Sequence, residues 1–234
     1  MKDLILIIPA YKEEDIIEFV IQDWITNLKK LNINFQINVY DDGSPDNTYL
    51  KIKELSKKHF ELKAISKINS GHGPTILKGY RDTVNDADWL FQVDSDNEMT
   101  ADNFHILWSN RNKYDFLIGE RDNRNQPLAR KVVSLISRII VNLFYGNKVR
   151  DVNSPYRLMR SSKFKNLFSI IPENTFAPNL VVSGYTSKNK LNVFQSLIPH
   201  RGRETGEVSI QKWKLFKVAF KSMIQTIRIS FLIK

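Results

Sequence analysis

Apolar and polar residues alternate in blocks through the first half of the chain. Runs rich in apolar residues predict buried strands at 4–8, 35–40, 62–65 and 89–93. Between these runs, apolar residues recur at helical spacing over 13–30, which predicts a helix there. Asp46 is a typical N-cap for a helix that ends near residue 58, and Pro74 a typical first residue for one that ends near residue 84. This order is typical of a mainly parallel sheet that helices cover on both faces.

The pattern becomes less regular after about residue 114. Strands are expected at 116–119, 156–159 and 191–198, and a helix with a broad apolar face at 128–145. We therefore predict one folded domain over residues 1–210 and a distinct terminal segment over residues 211–234.

The terminal segment carries large apolar residues at helical spacing with cations between them. The apolar positions are Trp213, Phe216, Phe220, Met223, Ile224, Ile227 and Phe231. A basic amphipathic helix with aromatic residues suits a membrane surface, and a core helix packed on the sheet is the alternative. The sequence has no uncharged run of about 18 residues, the length expected of a complete membrane span.

Polar loops follow each of the four predicted strands of the first half. These loops cover 9–13, 41–44, 69–73 and 94–98. Ligands of parallel sheets bind at the carboxyl ends of the strands, so the loops are expected to build one site together.

The last of these loops carries three acidic residues at alternating positions. Asp94, Asp96 and Glu98 directly follow a short apolar run, and alternate residues of an extended chain point the same way. Carboxylate oxygens suit Mg²⁺ or Mn²⁺, which usually bring phosphate oxygens with them. On spacing alone, a solvated acidic turn remains the alternative.

Composition excludes some chemistry and leaves other classes open. The chain has no cysteine, so disulfides, thiolate metal sites and cysteine nucleophiles are excluded. Its formal net charge of +10 favours an anionic partner or serves solubility. No nucleic-acid recognition motif accompanies that charge, and we expect no nucleic-acid partner.

Several motifs resemble the nucleotide-sugar glycosyltransferases of the GT-A fold, family 2 type. They are Ile7-Ile8-Pro9-Ala10-Tyr11-Lys12-Glu13-Glu14, Tyr40-Asp41-Asp42-Gly43-Ser44 and Val93-Asp94-Ser95-Asp96. The second half is similar to the polyprenyl-phosphate and dolichyl-phosphate sugar synthases. The motifs there are Gly119-Glu120-Arg121, Arg130-Lys131-Val132-Val133-Ser134, Asp151-Val152-Asn153-Ser154-Pro155-Tyr156-Arg157 and Arg203-Glu204-Thr205-Gly206-Glu207. The chain departs from that subgroup after Gly206, where a lysine is expected.

The resemblance implies a role for individual residues around a nucleoside diphosphate sugar, with UDP or GDP as the nucleotide. Ribose and base would be held by Pro9, Tyr11 and Glu13, and the base would be read by Asp42 with Asp41 beside it. The DXD motif Asp94-Ser95-Asp96 would bind the donor, with Asp94 and Asp96 holding Mg²⁺ or Mn²⁺. Glu98 would be either the third metal ligand or a residue that supports the ligands.

The resemblance also implies where phosphate groups bind. The acceptor phosphate, or the departing nucleotide diphosphate, would be bound by Arg121, Arg130, Ser134 and Arg203. Asp151 would orient an arginine or contact the sugar; capping the end of a strand is its structural alternative.

The absence of a Glu-Asp pair after the metal motif bears on the identity of the acceptor. Relatives that glycosylate hydroxyl groups often carry a Glu-Asp pair after the metal motif, and this chain has none there. A phosphate monoester needs no base because its second pKa is about 6. We therefore expect inverting transfer to a polyprenyl phosphate at the cytoplasmic face of a membrane, in glycan synthesis of the cell envelope. A saccharide hydroxyl, with Glu173 as base, is the alternative acceptor, and a second copy of the chain is a further candidate partner.

Overall fold

The computed structural model describes residues 1–122, 128–201 and 212–233; for 128–130 and 212–218 only the backbone is described. Within these ranges one sheet contains seven strands: β1 (Lys2–Ala10), β2 (Phe35–Asp41), β3 (Leu62–Ser66), β4 (Ala87–Gln92), β5 (Phe116–Arg121), β6 (Arg157–Arg160) and β7 (Val193–Ile198). Their order is β3-β2-β1-β4-β6-β5-β7. Only β6 runs antiparallel to its neighbours, so the expected mixed, mainly parallel sheet is confirmed.

Helices cover both faces of the sheet. The helices of the described residues are α1 (Ile17–Lys29), α2 (Thr48–Lys58), α3 (His72–Thr83), α4 (Phe104–Asn110), α5 (Leu128–Tyr145), α6 (Ser161–Ile170), α7 (Pro178–Lys188) and α8 (Lys212–Leu232). Successive residues of β1 enter opposite cores: Leu4 and Leu6 pack with α1, α2 and α4, whereas Ile5 and Ile7 pack with the helices of the other face. This explains why β1 is apolar from Leu4 to Ala10.

The direction of β6 decides what reaches the site. Because β1 to β5 and β7 run the same way, their carboxyl ends share one edge of the sheet. The antiparallel β6 begins at that edge, so segment 151–156, which precedes it, arrives there too. Segments far apart in the chain thereby meet at one place.

Three helices have no counterpart among the predicted elements. They are α4, α6 and α7. Every residue of α7 from Pro178 to Ser187 is buried, including Asn179, Ser183 and Thr186. A helix buried on all sides shows no alternation of apolar and polar faces, so periodicity could not reveal it.

The helix α8 packs against α5 and α7 through small and hydroxyl-bearing residues. Its buried stripe, as far as the side chains are described, is Ala219, Ser222, Thr226, Ile229, Ser230 and, just beyond the helix, Ile233. Phe220 is 66% exposed and Phe231 75% exposed, so these aromatics of the predicted amphipathic pattern face outward. The side chains of Trp213 and Phe216 lie outside the described residues.

A glycine in α7 allows α5 to approach closely. A Cβ atom at Gly184 would lie 2.5 Å from Cγ of the Tyr145 ring, and Tyr145 is itself buried. We expect Gly184→Ala to lower the free energy of unfolding by about 1–3 kcal/mol, because the rigid ring must shift. Chemical denaturation measures this. The control is Asn142→Ala on the exposed face of α5, which should stay within about 0.5 kcal/mol of the parent protein; equal stability of both variants would contradict the packing described.

Candidate active site

The loop after β1 is tied to the loop after β2. The backbone N–H of Lys12 donates to Oγ of Ser44 (3.1 Å), and that of Glu13 donates to Oγ1 of Thr48 (2.9 Å). Pro9 is buried at the end of β1, Tyr11 is 38% exposed and Glu13 is 8% exposed. Of the predicted ribose and base contacts, Tyr11 therefore presents the most surface to a ligand.

Asp41 is buried and organises its own loop. The backbone N–H of Ser44 lies 3.3 Å from Oδ2 and 3.4 Å from Oδ1 of Asp41, so this carboxylate holds the turn that carries Asp42.

The carboxylate of Asp42 is the centre of a buried network. It accepts hydrogen bonds from the side chain of Lys67 and from the backbone N–H groups of Ser70 (2.9 Å) and Gly71 (2.8 Å). Burial alone would raise the pKa of Asp42, but these bonds, above all that from Lys67, hold the pKa below its ordinary value. The network joins the loops after β2 and β3.

The acidic loop after β4 lines a small cavity, which we call the acidic cavity. The chain is not extended there, since Asn97 has a φ of 58°, so alternation along a strand is not what places these side chains. Asp94, Asp96 and Glu98 all line it, together with Val93, Met99, Arg121, Pro155 and His200. Oδ1 of Asp94 lies 3.3 Å from Nε2 of Gln92 and 3.4 Å from Nε2 of His72. Ser95, between the two aspartates, is buried.

Glu98 is engaged by the segment after β7. Nε2 of His200 lies 2.9 Å from Oε2 of Glu98, and the backbone N–H of Arg201 donates to the Glu98 carbonyl (2.9 Å). The acidic loop is thereby fastened to the start of the basic segment that contains Arg203. Arg203 itself lies outside the described residues.

Arg121 is held rigidly at the end of β5. Its Nε and Nη2 donate to Oδ2 and Oδ1 of Asp151, both at 2.8 Å, which makes a two-pronged ion pair. The prediction that Asp151 orients an arginine is confirmed.

A second cavity, of about 390 Å³, is lined by several cations, and we call it the cationic cavity. Its lining includes the predicted Ser134 and, beyond the prediction, Lys131, Arg138 and Arg150. Arg121 lies in the wall of both cavities. The side chain of Arg130, one residue before Lys131 in α5, lies outside the described residues.

The carboxylates fit a divalent cation that a ligand helps to coordinate. Among the residues that the structure describes, no group of three His, Asp or Glu side chains is gathered around one point. Asp94 and Asp96 are hard oxygen donors, partly exposed in one cavity, and Mg²⁺-type sites often use two carboxylates plus substrate phosphates. Two protein ligands therefore fit, whereas Glu98, the expected third ligand, is paired with His200.

Comparison with known proteins agrees with this architecture. The Glycosyl transferase family 2 model matches residues 5–168. The chain is 29% identical to the UDP-N-acetylglucosamine–dolichyl-phosphate N-acetylglucosaminyltransferase of Methanococcus voltae, over 82% of this chain and 83% of that protein. It is 21% identical to the undecaprenyl-phosphate 4-deoxy-4-formamido-L-arabinose transferase of Proteus mirabilis, over 92% of this chain but only 65% of that protein, slightly under two thirds of its length.

The fold also has solved counterparts. Glucosyl-3-phosphoglycerate synthase from Mycobacterium tuberculosis, crystallised with Mn²⁺, UDP-glucose and phosphoglyceric acid, superposes with a TM-score of 0.72 at 14% identity, covering 98% of this chain and 80% of that one. This likeness shows the shared GT-A fold. Because the family model spans most of the sheet and its acidic loop, the chain belongs to glycosyl transferase family 2.

Proposed function

We propose that the chain is an inverting glycosyltransferase that moves one sugar from a nucleoside diphosphate sugar to a polyprenyl phosphate. The observation that carries the proposal is the position of Arg121, which borders both the acidic cavity and the cationic cavity. A guanidinium held there by Asp151 can neutralise phosphate oxygens where donor and acceptor meet.

The proposed reaction is a displacement at the anomeric carbon of the sugar. An oxygen of the acceptor phosphate forms the new bond to this carbon, and the bond to the nucleoside diphosphate breaks. Negative charge grows on the departing diphosphate, beside Arg121. A divalent cation held by Asp94 and Asp96 would supply further positive charge there. The Mn²⁺ in the solved counterpart and the dolichyl-phosphate and undecaprenyl-phosphate relatives support this choice.

The carboxylates of the two cavities favour a phosphate over a hydroxyl acceptor. Among the described lining residues, Glu98 pairs with His200, Asp151 with Arg121, and Glu120 lies 3.6 Å from Arg150. Glu173, the alternative base, is 91% exposed, pairs with Arg81 and lines neither cavity. Apart from the proposed metal ligands, a general base for a hydroxyl is therefore not evident, and an ionised phosphate needs none.

A membrane surface is the proposed location of the acceptor, on its cytoplasmic face. Outward apolar residues of α5 and α8 support this: Val132, Leu135, Ile136, Ile139, Leu143, Phe220, Phe231 and Leu232. Phe144 and Phe231 bring the two helices together, with ring centroids 6.3 Å apart. Exposed cations, Lys131 and Arg138 on α5 and Lys221 and Arg228 on α8, suit anionic head groups.

The outward face of α5 leads directly into the cationic cavity. Lys131, Leu135 and Arg138 belong to the face and also line the cavity. A lipid phosphate could thus enter while its chain stays against the apolar residues. None of the helices within the described residues is long and apolar enough to cross a membrane. Residues 211–234 remain, in this proposal, an interfacial segment attached to the catalytic domain of residues 1–210.

Transfer from the donor tests the proposed reaction. Radiolabelled UDP- and GDP-sugars are screened with a short polyprenyl phosphate and Mn²⁺ or Mg²⁺. Asp96→Asn should lower transfer by about 100-fold or more, because removing charge stabilisation at the leaving group has effects of this size. Asp88→Asn, at an exposed position of the same strand region near the opposite edge, is the control. Undiminished metal-dependent transfer by Asp96→Asn, or equal transfer to a saccharide without phosphate, would contradict the proposal.

The Arg121–Asp151 pair tests the acceptor site. We expect Arg121→Lys and Asp151→Asn each to lower kcat/KM for the lipid phosphate by about 10- to 100-fold, as for a lost hydrogen bond to a charged group. Since each variant removes the same two-pronged contact between residues 121 and 151, the double variant should lose much less than the product of the two single losses. Independent, multiplicative losses would show that the pair does not act as one unit.

Vesicle sedimentation tests the membrane face. Leu143→Glu and Phe231→Glu should reduce binding to vesicles that contain anionic lipid, because each places a charge on the proposed apolar face. Phe60→Glu is the matched control, since Phe60 is 93% exposed but lies between α2 and β3. Equal loss in all three variants, or no loss in any, would count against this face.

A further inference from the structure

A chain of buried polar side chains leads from the core to Asp94. The hydroxyl of Tyr80, in α3, donates to Oε1 of Gln92 (2.6 Å) at the end of β4. Nε2 of Gln92 then donates to Oδ1 of Asp94 (3.3 Å). Tyr80 and Gln92 are both fully buried.

The hydroxyl of Tyr80 donates to Oε1 of Gln92 at 2.6 Å, whereas the other acceptor near it, Oδ1 of Asn179, lies farther away at 3.4 Å. This bond favours one orientation of the Gln92 amide. When Oε1 of Gln92 accepts from Tyr80, its NH₂ group faces the carboxylate of Asp94. The reversed amide would set its oxygen against that carboxylate, which is repulsive. Tyr80 therefore acts on Asp94 through Gln92.

A buried cation lies beneath the same group of residues. Arg157 of β6 lies opposite Gln92 of β4 in the sheet and is fully buried. Within the described part of the chain, no carboxylate forms an ion pair with its guanidinium. Its guanidinium donates instead to the carbonyls of Ser154 (Nε, 3.0 Å) and Asn179 (Nη1, 2.9 Å). Burial lowers the pKa of Arg157 to about 10, so the side chain stays charged at neutral pH.

Burying these polar groups in the core is unfavourable for the free energy of folding. The rest of β4 contributes Leu90 and Phe91 to the cores, and an apolar residue at position 92 would avoid burying an amide. Every polar atom named here has a partner, and the series ends on the carboxylate that faces the cavity. Such outer partners orient the ligands of metal sites and tune their affinity.

We propose that Tyr80 and Gln92 are positioning residues that orient the carboxylate of Asp94 and so set the affinity of the donor site for its divalent cation. The proposal rests on the proposed function, because that function assigns the cation to Asp94 and Asp96. It adds two residues that do not reach the cavity themselves.

Direct Mn²⁺ binding tests this inference without an activity assay. Free Mn²⁺ is measured by electron paramagnetic resonance during titration of the protein, with saturating UDP and, in parallel, GDP. Gln92→Met, which keeps the volume but removes the amide, should weaken Mn²⁺ binding by about 10- to 100-fold. Tyr80→Phe, which removes one oxygen atom, should weaken it less but in the same direction.

Tyr145→Phe is the matched control. Tyr145 is buried and its hydroxyl donates to the Thr226 carbonyl (2.6 Å), between α5 and α8. Its loss removes a comparable buried hydrogen bond and should leave Mn²⁺ affinity unchanged. Weakening in Tyr80→Phe but not in Tyr145→Phe supports the proposal, even where Gln92→Met fails to fold.

Two failures are distinguishable. Mn²⁺ affinity equal to that of the parent protein in Tyr80→Phe, or equal weakening in Tyr145→Phe, overturns the positioning role and leaves the proposed function standing. A parent protein that binds no Mn²⁺ with either nucleotide overturns the cation site itself, and both proposals with it.

Discussion

The reversed direction of one short strand is the constraint on which the site depends. If β6 ran parallel to β4 and β5, it would begin at the opposite edge of the sheet. The segment that precedes it would then end there, and Asp151 could not form its ion pair with Arg121. The buried guanidinium of Arg157, the first residue of β6, donates to the carbonyl of Ser154 and so fixes the end of that segment. Strand direction and a buried cation together place the two cavities side by side.

The proposed donor side of the site is organised by the protein's own hydrogen bonds. Ser44 and Thr48 hold the loop after β1, and Asp42 gathers Lys67 and the backbone of the loop after β3. A ligand that enters meets loops that are already joined, so less conformational entropy is lost on binding than with independent loops. Arg121 would likewise lose little conformational entropy on binding a phosphate, because its ion pair with Asp151 already orients the guanidinium.

The periodicity of apolar residues predicted those elements whose formation depends on neighbouring residues in the chain. The parallel order of the first strands and the helix α5 follow from periodicity and turn residues. The pairing of Glu98 with His200 joins residues 102 positions apart and requires the place of β7 in the sheet, which periodicity does not contain. The sequence therefore left open whether Glu98 binds the metal or supports its ligands.

Other features were hidden because their residues are ordinary out of context. Nothing in the sequence distinguishes Lys67 from the other lysines. Its ion pair with Asp42 depends on the place of β3 beside β2 in the sheet. Gln92 is a polar residue within an apolar strand and is fully buried. A polar residue at such a position indicates a specific hydrogen-bond partner, but an analysis of apolar periodicity does not use it. The helix α7 carries hydroxyl and amide residues on a fully buried surface, which makes it resemble a loop in sequence.

The packing of α8 has a consequence for how the protein could tolerate two different solvents. Its inner stripe attaches through small side chains and through bonds such as Tyr145 to the Thr226 carbonyl (2.6 Å) and Lys188 to the Ser230 carbonyl (2.7 Å). Close backbone approach and hydrogen bonds hold helices together in hydrocarbon, where the hydrophobic effect gives no help. The medium outside α8 could therefore change from water to lipid without loosening the attachment on its inner side.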